Sequence, residues 1–128
     1  MALNLAGWTI RASVAFTLGN KAKGHKCRRI MDPRYAQLAD VLCGFSTRLK
    51  KGEKVLIDVA ETPEEFVIAL IRSARKHGAV PMVNIQQARV SREMTREGNA
   101  EQFKLFADHE LARMKKMHAY IAVRGANN

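Results

Sequence analysis

The sequence has few cysteines and no hydrophobic run long enough to cross a membrane. Its 128 residues contain two cysteines, too few for the disulfide scaffold of a small secreted domain. Cys43 falls inside a predicted helix, where we expect a small buried residue. No apolar run approaches the roughly 20 residues that span a bilayer. These absences favour one cytoplasmic domain.

The motifs of nucleotide and metal sites are also absent. No GxGxxG follows the first predicted strand of the ordered part, and there is no phosphate-loop lysine motif and no HExxH. His77, His109 and His118 are spread over helix ends and faces, and His25 and Cys27 lack a second ligand pair at usable spacing. The sequence therefore assigns no catalytic, cofactor-binding or metal-binding residue to this chain.

Acidic residues are missing from residues 1–30, which carry six basic residues and a charge of +6. Residues 31–128 carry 16 basic and 12 acidic residues, so they add only +4 to the total of +10. We expect residues 1–30 to be a basic leader that is disordered or a misplaced start. A transit segment and a genuine basic tail remain alternatives.

The positive charge leaves a second class of function open, a small basic α/β module that contacts nucleic acid. Arg89, Arg92, Arg96 and the basic leader would make the phosphate contacts. The few aromatic residues for base stacking and the concentration of charge in the leader make a nucleic-acid partner the weaker hypothesis.

Helix and strand patterns begin at Met31. Asp32 is a good N-cap and Pro33 a good first helical residue. An apolar stripe then predicts a helix of about four turns that ends at residues 50–52. The stripe consists of Tyr35, Leu38, Leu42, Phe45 and Leu49.

A strand, helix and strand follow with short joints. Residues 55–59 form an apolar, β-branched run that indicates a strand covered on both faces. Thr62 and Glu65 fit a capping box for a helix that ends at Gly78. Its predicted buried face consists of Phe66, Val67, Leu70, Ile71 and Ala74.

Further elements complete the predicted fold. Residues 82–85 indicate a second strand, and residues 86–99 indicate a loop or a short solvated helix. Residues 100–117 indicate a helix, and residues 119–123 indicate a third strand. Phe103, Phe106, Leu111, Met114 and Met117 are available for packing on the later helix. Short crossovers between strands require parallel pairing. The prediction is an α/β fold: a small open, mainly parallel sheet of about three strands flanked by helices, an incomplete Rossmann-like domain.

Ligands of such sheets bind beyond the carboxyl ends of the strands. Arg89 and Arg124 could hold an anion there, although two solvated arginines are the favoured interpretation. The residues expected at these ends are Glu61, Gln86, Gln87, Arg89, Arg124 and Asn127.

Several features in order resemble the start of the thermophilic-type metallo-aminopeptidases, the family of aminopeptidases T and S. They are the helix start Asp32-Pro33-Arg34, the turn Lys51-Gly52-Glu53, the strand at 55–57 and the segment from His77 to Pro81. Residues 118–128 are similar to a strand near the end of that family's first domain. The likeness covers residues 31–128.

The resemblance implies an exopeptidase that removes N-terminal amino acids from peptides with two divalent metal ions, such as zinc or cobalt. In that family the ligands and catalytic residues lie in a larger C-terminal part, so none is carried over to this chain. We expect residues 31–128 to be the N-terminal α/β domain, truncated before the catalytic domain, with a structural, cavity-framing role. The complete enzyme would be a homodimer with no membrane association. Apolar surface at Leu56, Val59, Val83 and Ile121 would face the missing domain.

Overall fold

The computed structural model describes residues 2–5, 8–19 and 32–126. The described elements are β1 (Ala2–Leu5), β2 (Trp8–Gly19), α1 (Pro33–Asp40), β3 (Lys54–Ala60), α2 (Glu64–Lys76), β4 (Val80–Gln86), α3 (Ala88–Arg96), α4 (Ala100–Met114) and β5 (Ala119–Ala126). A π-helical turn, Val41–Ser46, continues α1. The described strands form one sheet in the order β1-β2-β5-β3-β4.

The sheet confirms the predicted α/β fold. β3 lies between β4 and β5, and both pairings are parallel, as the short crossovers require. β2 pairs with β5 in parallel and β1 pairs with β2 in antiparallel orientation. Sequence analysis assigned no strand to residues 1–30, whereas β1 and β2 both lie there. The domain boundary at residue 31 stays a prediction.

One face of the sheet carries the hydrophobic core. Odd-numbered residues of β3 and β5 point to this face, where α1 and α2 cover them. The rings of Tyr35 and Phe66 lie 5.4 Å apart and join the two helices. Burial of a side chain such as Phe66 stabilises the fold by roughly 2–3 kcal/mol. The strand residues of this core are Val55, Ile57, Val59, Ala119, Ile121 and Val123.

The helix capped by Asp32 follows the prediction in its first two turns only. The Asp32 carboxylate accepts a hydrogen bond from the backbone N–H of Arg34, and Pro33 is the first helical residue. The π turn then widens the helix, and the N–H of Thr47 bonds to the carbonyl of Leu42. This shift carries Phe45 away from the core. Phe45 is 74% exposed, so its predicted place in the apolar stripe was wrong, whereas Cys43 is buried as predicted.

The start of α2 also differs from the prediction. Pro63 is the N-cap residue and makes no side-chain cap. Thr62 is therefore not at the N-cap position that the predicted capping box requires, and its hydroxyl donates to the carbonyl of Ala60, 3.0 Å away, at the end of β3. The predicted buried face is confirmed for Phe66, Val67, Leu70 and Ala74, and Ile71 packs against it partly exposed.

The apolar side chains that are exposed differ from those predicted to be exposed. Leu56, Val59 and Ile121 are buried, so they leave no surface for another domain. The helix alternative for residues 86–99 is confirmed by α3, and neither α3 nor α4 has a buried residue. Phe103, Phe106 and Leu111 are exposed rather than packed, because α4 has few close contacts with the rest of the described chain.

The outer edge of β4 is interrupted by a proline. The N–H of Val80 donates to Glu53 beside β3, so the alternate residues Pro81, Val83 and Ile85 direct their backbone groups away from β3. Proline lacks an N–H, and it is tolerated on an edge strand where that position faces outward. The described residues contain no strand that pairs with this edge.

Backbone segments approach closely where β3 and β5 end. Glu61, the residue after β3, has a positive φ of 50° and lies against Gly125 of β5. A Cβ atom on Gly125 would overlap the carbonyl oxygen of Glu61. Only glycine therefore permits this approach.

We predict that Gly125→Ala lowers the free energy of unfolding by about 3 kcal/mol or more, because the added methyl group meets backbone that cannot rotate away. Urea unfolding followed by circular dichroism measures the change. Gly44→Ala is the matched control, since its Cβ would meet only the movable His77 ring at 3.1 Å. Equal stability of the two variants would contradict this account.

Candidate functional site

The strand order defines where a ligand site is expected. The chain passes from β3 to the neighbouring β4 and then returns to β5 on the other side of β3. This reversal makes the carboxyl ends of β3 and β5 the topological switch point, where open α/β sheets bind ligands. A polar cluster of five side chains on the face opposite α1 and α2 extends from the middle of the sheet to this end, where Gln86 and Arg124 lie. Its members are Asp58, Asn84, Gln86, Tyr120 and Arg124.

Asp58 is the centre of this cluster. One carboxylate oxygen accepts hydrogen bonds from Asn84 at 2.7 Å and Gln86 at 3.1 Å. The other accepts from the Tyr120 hydroxyl at 2.9 Å and from the Arg124 guanidinium at 2.7 Å. Asp58 is only 4% exposed, so these four donors replace the water that a carboxylate would otherwise bind.

Strand register brings the five side chains together. Asp58 lies beside Asn84 of β4, and Ala60 lies beside both Gln86 and Arg124. Even-numbered residues of the three strands share one face, so donors from β4 and β5 converge on the carboxylate. The same guanidinium also donates to the backbone carbonyl of Asp58 at 3.1 Å, which aligns it on the strand.

The cluster shifts the ionisation of its members in opposite directions. Burial by itself would raise the pKa of Asp58, but the hydrogen bonds from Arg124, Tyr120 and Asn84 outweigh it and lower that pKa below 3.8. Burial raises the pKa of Tyr120, and the hydrogen bond to Asp58 raises it further. The hydrogen bond to Asp58 raises the pKa of Arg124. Asp58 is therefore a carboxylate and Tyr120 a neutral donor at neutral pH.

The residues expected at the carboxyl ends do not form one site. Gln86 and Arg124 are bound to Asp58, so Arg124 is not a free anion-binding group. The Glu61 carboxylate accepts from the N–H of Ala88 and holds the start of α3. Gln87 and Arg89 are exposed. Asn127 lies outside the described residues, as do His25 and Cys27.

The histidines lie apart from the cluster. His118 accepts a hydrogen bond from the backbone N–H of Lys54 at the opposite end of the sheet. His77 follows α2, and His109 lies on α4, where its side chain is largely exposed.

A pair of catalytic metal ions does not fit this cluster. Both oxygens of Asp58 are occupied by donors, and its neighbours supply N–H and O–H groups rather than metal-binding atoms. Residues 32–125, whose side chains are described, contain no group of three or more His, Cys, Asp or Glu that could hold an ion. The cluster can fix strand register and hold an ion pair between Asp58 and Arg124 whose charges cancel.

Sequence analysis missed Asp58 as the centre of a cluster. One carboxylate inside the apolar run at 55–59 was the available evidence, because a buried charge requires partners. Tyr120 and Arg124 lie four residues apart on one strand and therefore on one face. The register in which β4 and β5 pair with β3 could not be predicted from the sequence pattern.

Comparison with known proteins identifies the family. The family model of the thermophilic metalloproteases, M29, matches residues 31–128, about three quarters of the chain. This chain belongs to that family, so the resemblance found in the sequence is confirmed. The match begins after β1 and β2. Comparison with curated proteins gives no match. Within the described residues no helix is long and apolar enough to cross a membrane.

We predict that Asp58→Asn lowers the free energy of unfolding at pH 7 by about 2 kcal/mol. The NH2 group of the asparagine would face donor groups that now bind the carboxylate, and Arg124 would lose its counter-charge. The folded state lowers the pKa of Asp58, so its contribution is complete above about pH 4 and is lost as pH falls through the lowered value. The variant should thus lose less stability than the parent chain between about pH 4 and pH 2.

Urea unfolding across this pH range measures both effects. Asp108→Asn is the control, since Asp108 forms an exposed ion pair with Lys104 and should contribute less at pH 7. Identical acid dependence of the Asp58→Asn variant and the parent chain would refute the role of this carboxylate.

We predict that Tyr120 ionises at a higher pH than an exposed tyrosine and that Asp58→Asn lowers its pKa. The chain has two tyrosines, so ultraviolet titration in a Tyr35→Phe background follows Tyr120 alone. Burial remains in the variant, and the lowered pKa therefore measures the carboxylate's share. A pKa of Tyr120 that is unaffected by Asp58→Asn would show that the two side chains do not interact in solution.

Proposed function

We propose that this chain is the N-terminal α/β domain of a metal-dependent aminopeptidase that hydrolyses N-terminal amino acids from peptides. Its role is structural: it frames the substrate cavity and supports the catalytic part. Two divalent ions, such as zinc or cobalt, would be held by residues outside this chain. Peptide substrates and a homodimeric assembly belong to the complete enzyme, and the location is cytoplasmic.

The saturated carboxylate at the switch point is the observation that carries this proposal. A metallopeptidase needs open carboxylate or imidazole ligands around an ion and a position for water. The switch point instead contains a carboxylate with four donors, one of them a guanidinium. Membership of a metalloprotease family together with this closed site favours a supporting role.

Exposed apolar side chains give independent support. Within the described residues they concentrate on β4, α3 and α4, and an apolar surface of this kind is typical of contact with another domain or subunit. The largest of these exposed side chains are Val80, Met82, Ile85, Val90, Met94, Phe103, Leu105, Phe106 and Leu111.

We predict that the chain alone does not hydrolyse aminoacyl p-nitroanilides in the presence of zinc or cobalt. Its thermal midpoint should be the same with either ion as with EDTA, because a bound ion would stabilise the folded state by mass action. Asp58→Asn is the matched control, since any weak binding of an ion to the Asp58 carboxylate would be lost in this variant. Metal-dependent hydrolysis by the parent chain would overturn the proposal.

A second test of the proposed function examines the coding DNA. We expect its reading frame to continue past Asn128 into a segment with spaced Glu, His and Asp ligands, and the longer product to hydrolyse the same substrates in a metal-dependent manner. A stop codon directly after Asn128 would argue for a module that acts alone.

A further inference from the structure

The surface of α3 carries an arginine stripe, defined as Arg89, Arg92 and Arg96. Their spacing of three and four residues places them on one side of the helix within an arc of about 60°, over a length of about 10 Å. All three side chains are exposed. Among the described residues none of them takes part in an ion pair, although Glu93 lies on the neighbouring arc.

The same helix carries an apolar edge. Val90 and Met94 are four residues apart, so they are neighbours along one line of the surface, beside Glu93. Both are more than half exposed, and α3 has no buried residue. The helix therefore leaves the arginine stripe without an ion pair and the apolar edge more than half exposed, although the Met94 sulfur accepts a hydrogen bond from Gln102 at 3.9 Å.

Charge complementarity selects the partner. We propose that α3 binds an acidic amphipathic polypeptide segment, whose carboxylates pair with the arginine stripe and whose apolar side chains cover Val90 and Met94. Arginine forms bidentate hydrogen bonds with carboxylates, which gives such pairing a defined geometry. This inference concerns an interaction surface and does not depend on the proposed function.

Other anionic partners match the surface less well. The carboxylate of Glu93 lies next to the stripe and repels a uniform row of phosphates, whereas a polypeptide supplies a cation at that point. α3 contains no aromatic residue on which a base could stack. Two medium-sized apolar side chains give little area for insertion into a lipid surface. A mixed acidic and apolar protein surface satisfies all three features of α3.

The test uses a designed helical peptide of about 20 residues, long enough to retain helix in water. It has glutamates along one face, leucines beside them and one lysine to meet Glu93. Fluorescence anisotropy of the labelled peptide with the full chain measures affinity. Reversal of the stripe by Arg89→Glu, Arg92→Glu and Arg96→Glu should weaken binding by about tenfold or more.

The matched control has the same change in net charge at other exposed positions, Arg72→Glu, Arg75→Glu and Lys116→Glu. It should leave the affinity within about threefold, which separates the stripe from the general charge of +10. A mirror peptide with lysines in place of glutamates should bind the reversed variant and not the parent chain. Circular dichroism confirms that both variants fold.

Two results would overturn the proposal. One is no binding of the acidic peptide to the parent chain, or binding that both triple variants weaken equally. The other is stripe-dependent binding of a single-stranded oligonucleotide or of phosphatidylserine vesicles that exceeds binding of the peptide at the same ionic strength. The first leaves the proposed function untouched, because that proposal rests on the switch point and the family.

Discussion

A carboxylate buried within a sheet must be given partners, and the centre of this fold is organised by that requirement. Asp58 lies on β3, between the parallel strands β4 and β5, and receives donors from both of them. An uncompensated charge there would be strongly destabilising. A shift of β4 or β5 by one residue would turn the donors to the other face. The ion pair thus specifies register, while the apolar residues of the opposite face supply most of the burial energy.

This arrangement explains why a member of a metalloprotease family has a closed switch point. The position where open α/β sheets gather ligands is occupied by internal hydrogen bonds and by the approach of Glu61 to Gly125. The hydrogen bonds to both oxygens of Asp58 join β3 to β4 and β5. Many of the exposed apolar side chains of the described chain lie on α3 and α4, neither of which has a buried residue, so these helices offer surface for contact with other molecules.

Local sequence patterns predicted correctly those helices and strands whose residue types match their burial and their position in the element. The run at 55–59 was placed correctly because β-branched residues buried on both faces leave few alternatives, and Asp32-Pro33 marked a helix start by its own chemistry. The prediction for Phe45 failed because a π turn changes the helical phase, and no residue pattern in the sequence marks that turn. The prediction for Thr62 failed because the helix begins one residue later than expected, with Pro63 at the N-cap position. The Asp58 cluster depends on pairing between residues up to 66 positions apart, and no periodicity contains that information.

The proline on the outer edge of β4 has a consequence for self-association. A second strand laid along this edge would find outward N–H donors on Val83 and Ile85 but none on Pro81. The strand has no charged residue to repel a copy of itself, so the missing donor is the main safeguard of an otherwise apolar edge. Replacing one imino acid would give the sheet a continuous template for intermolecular growth.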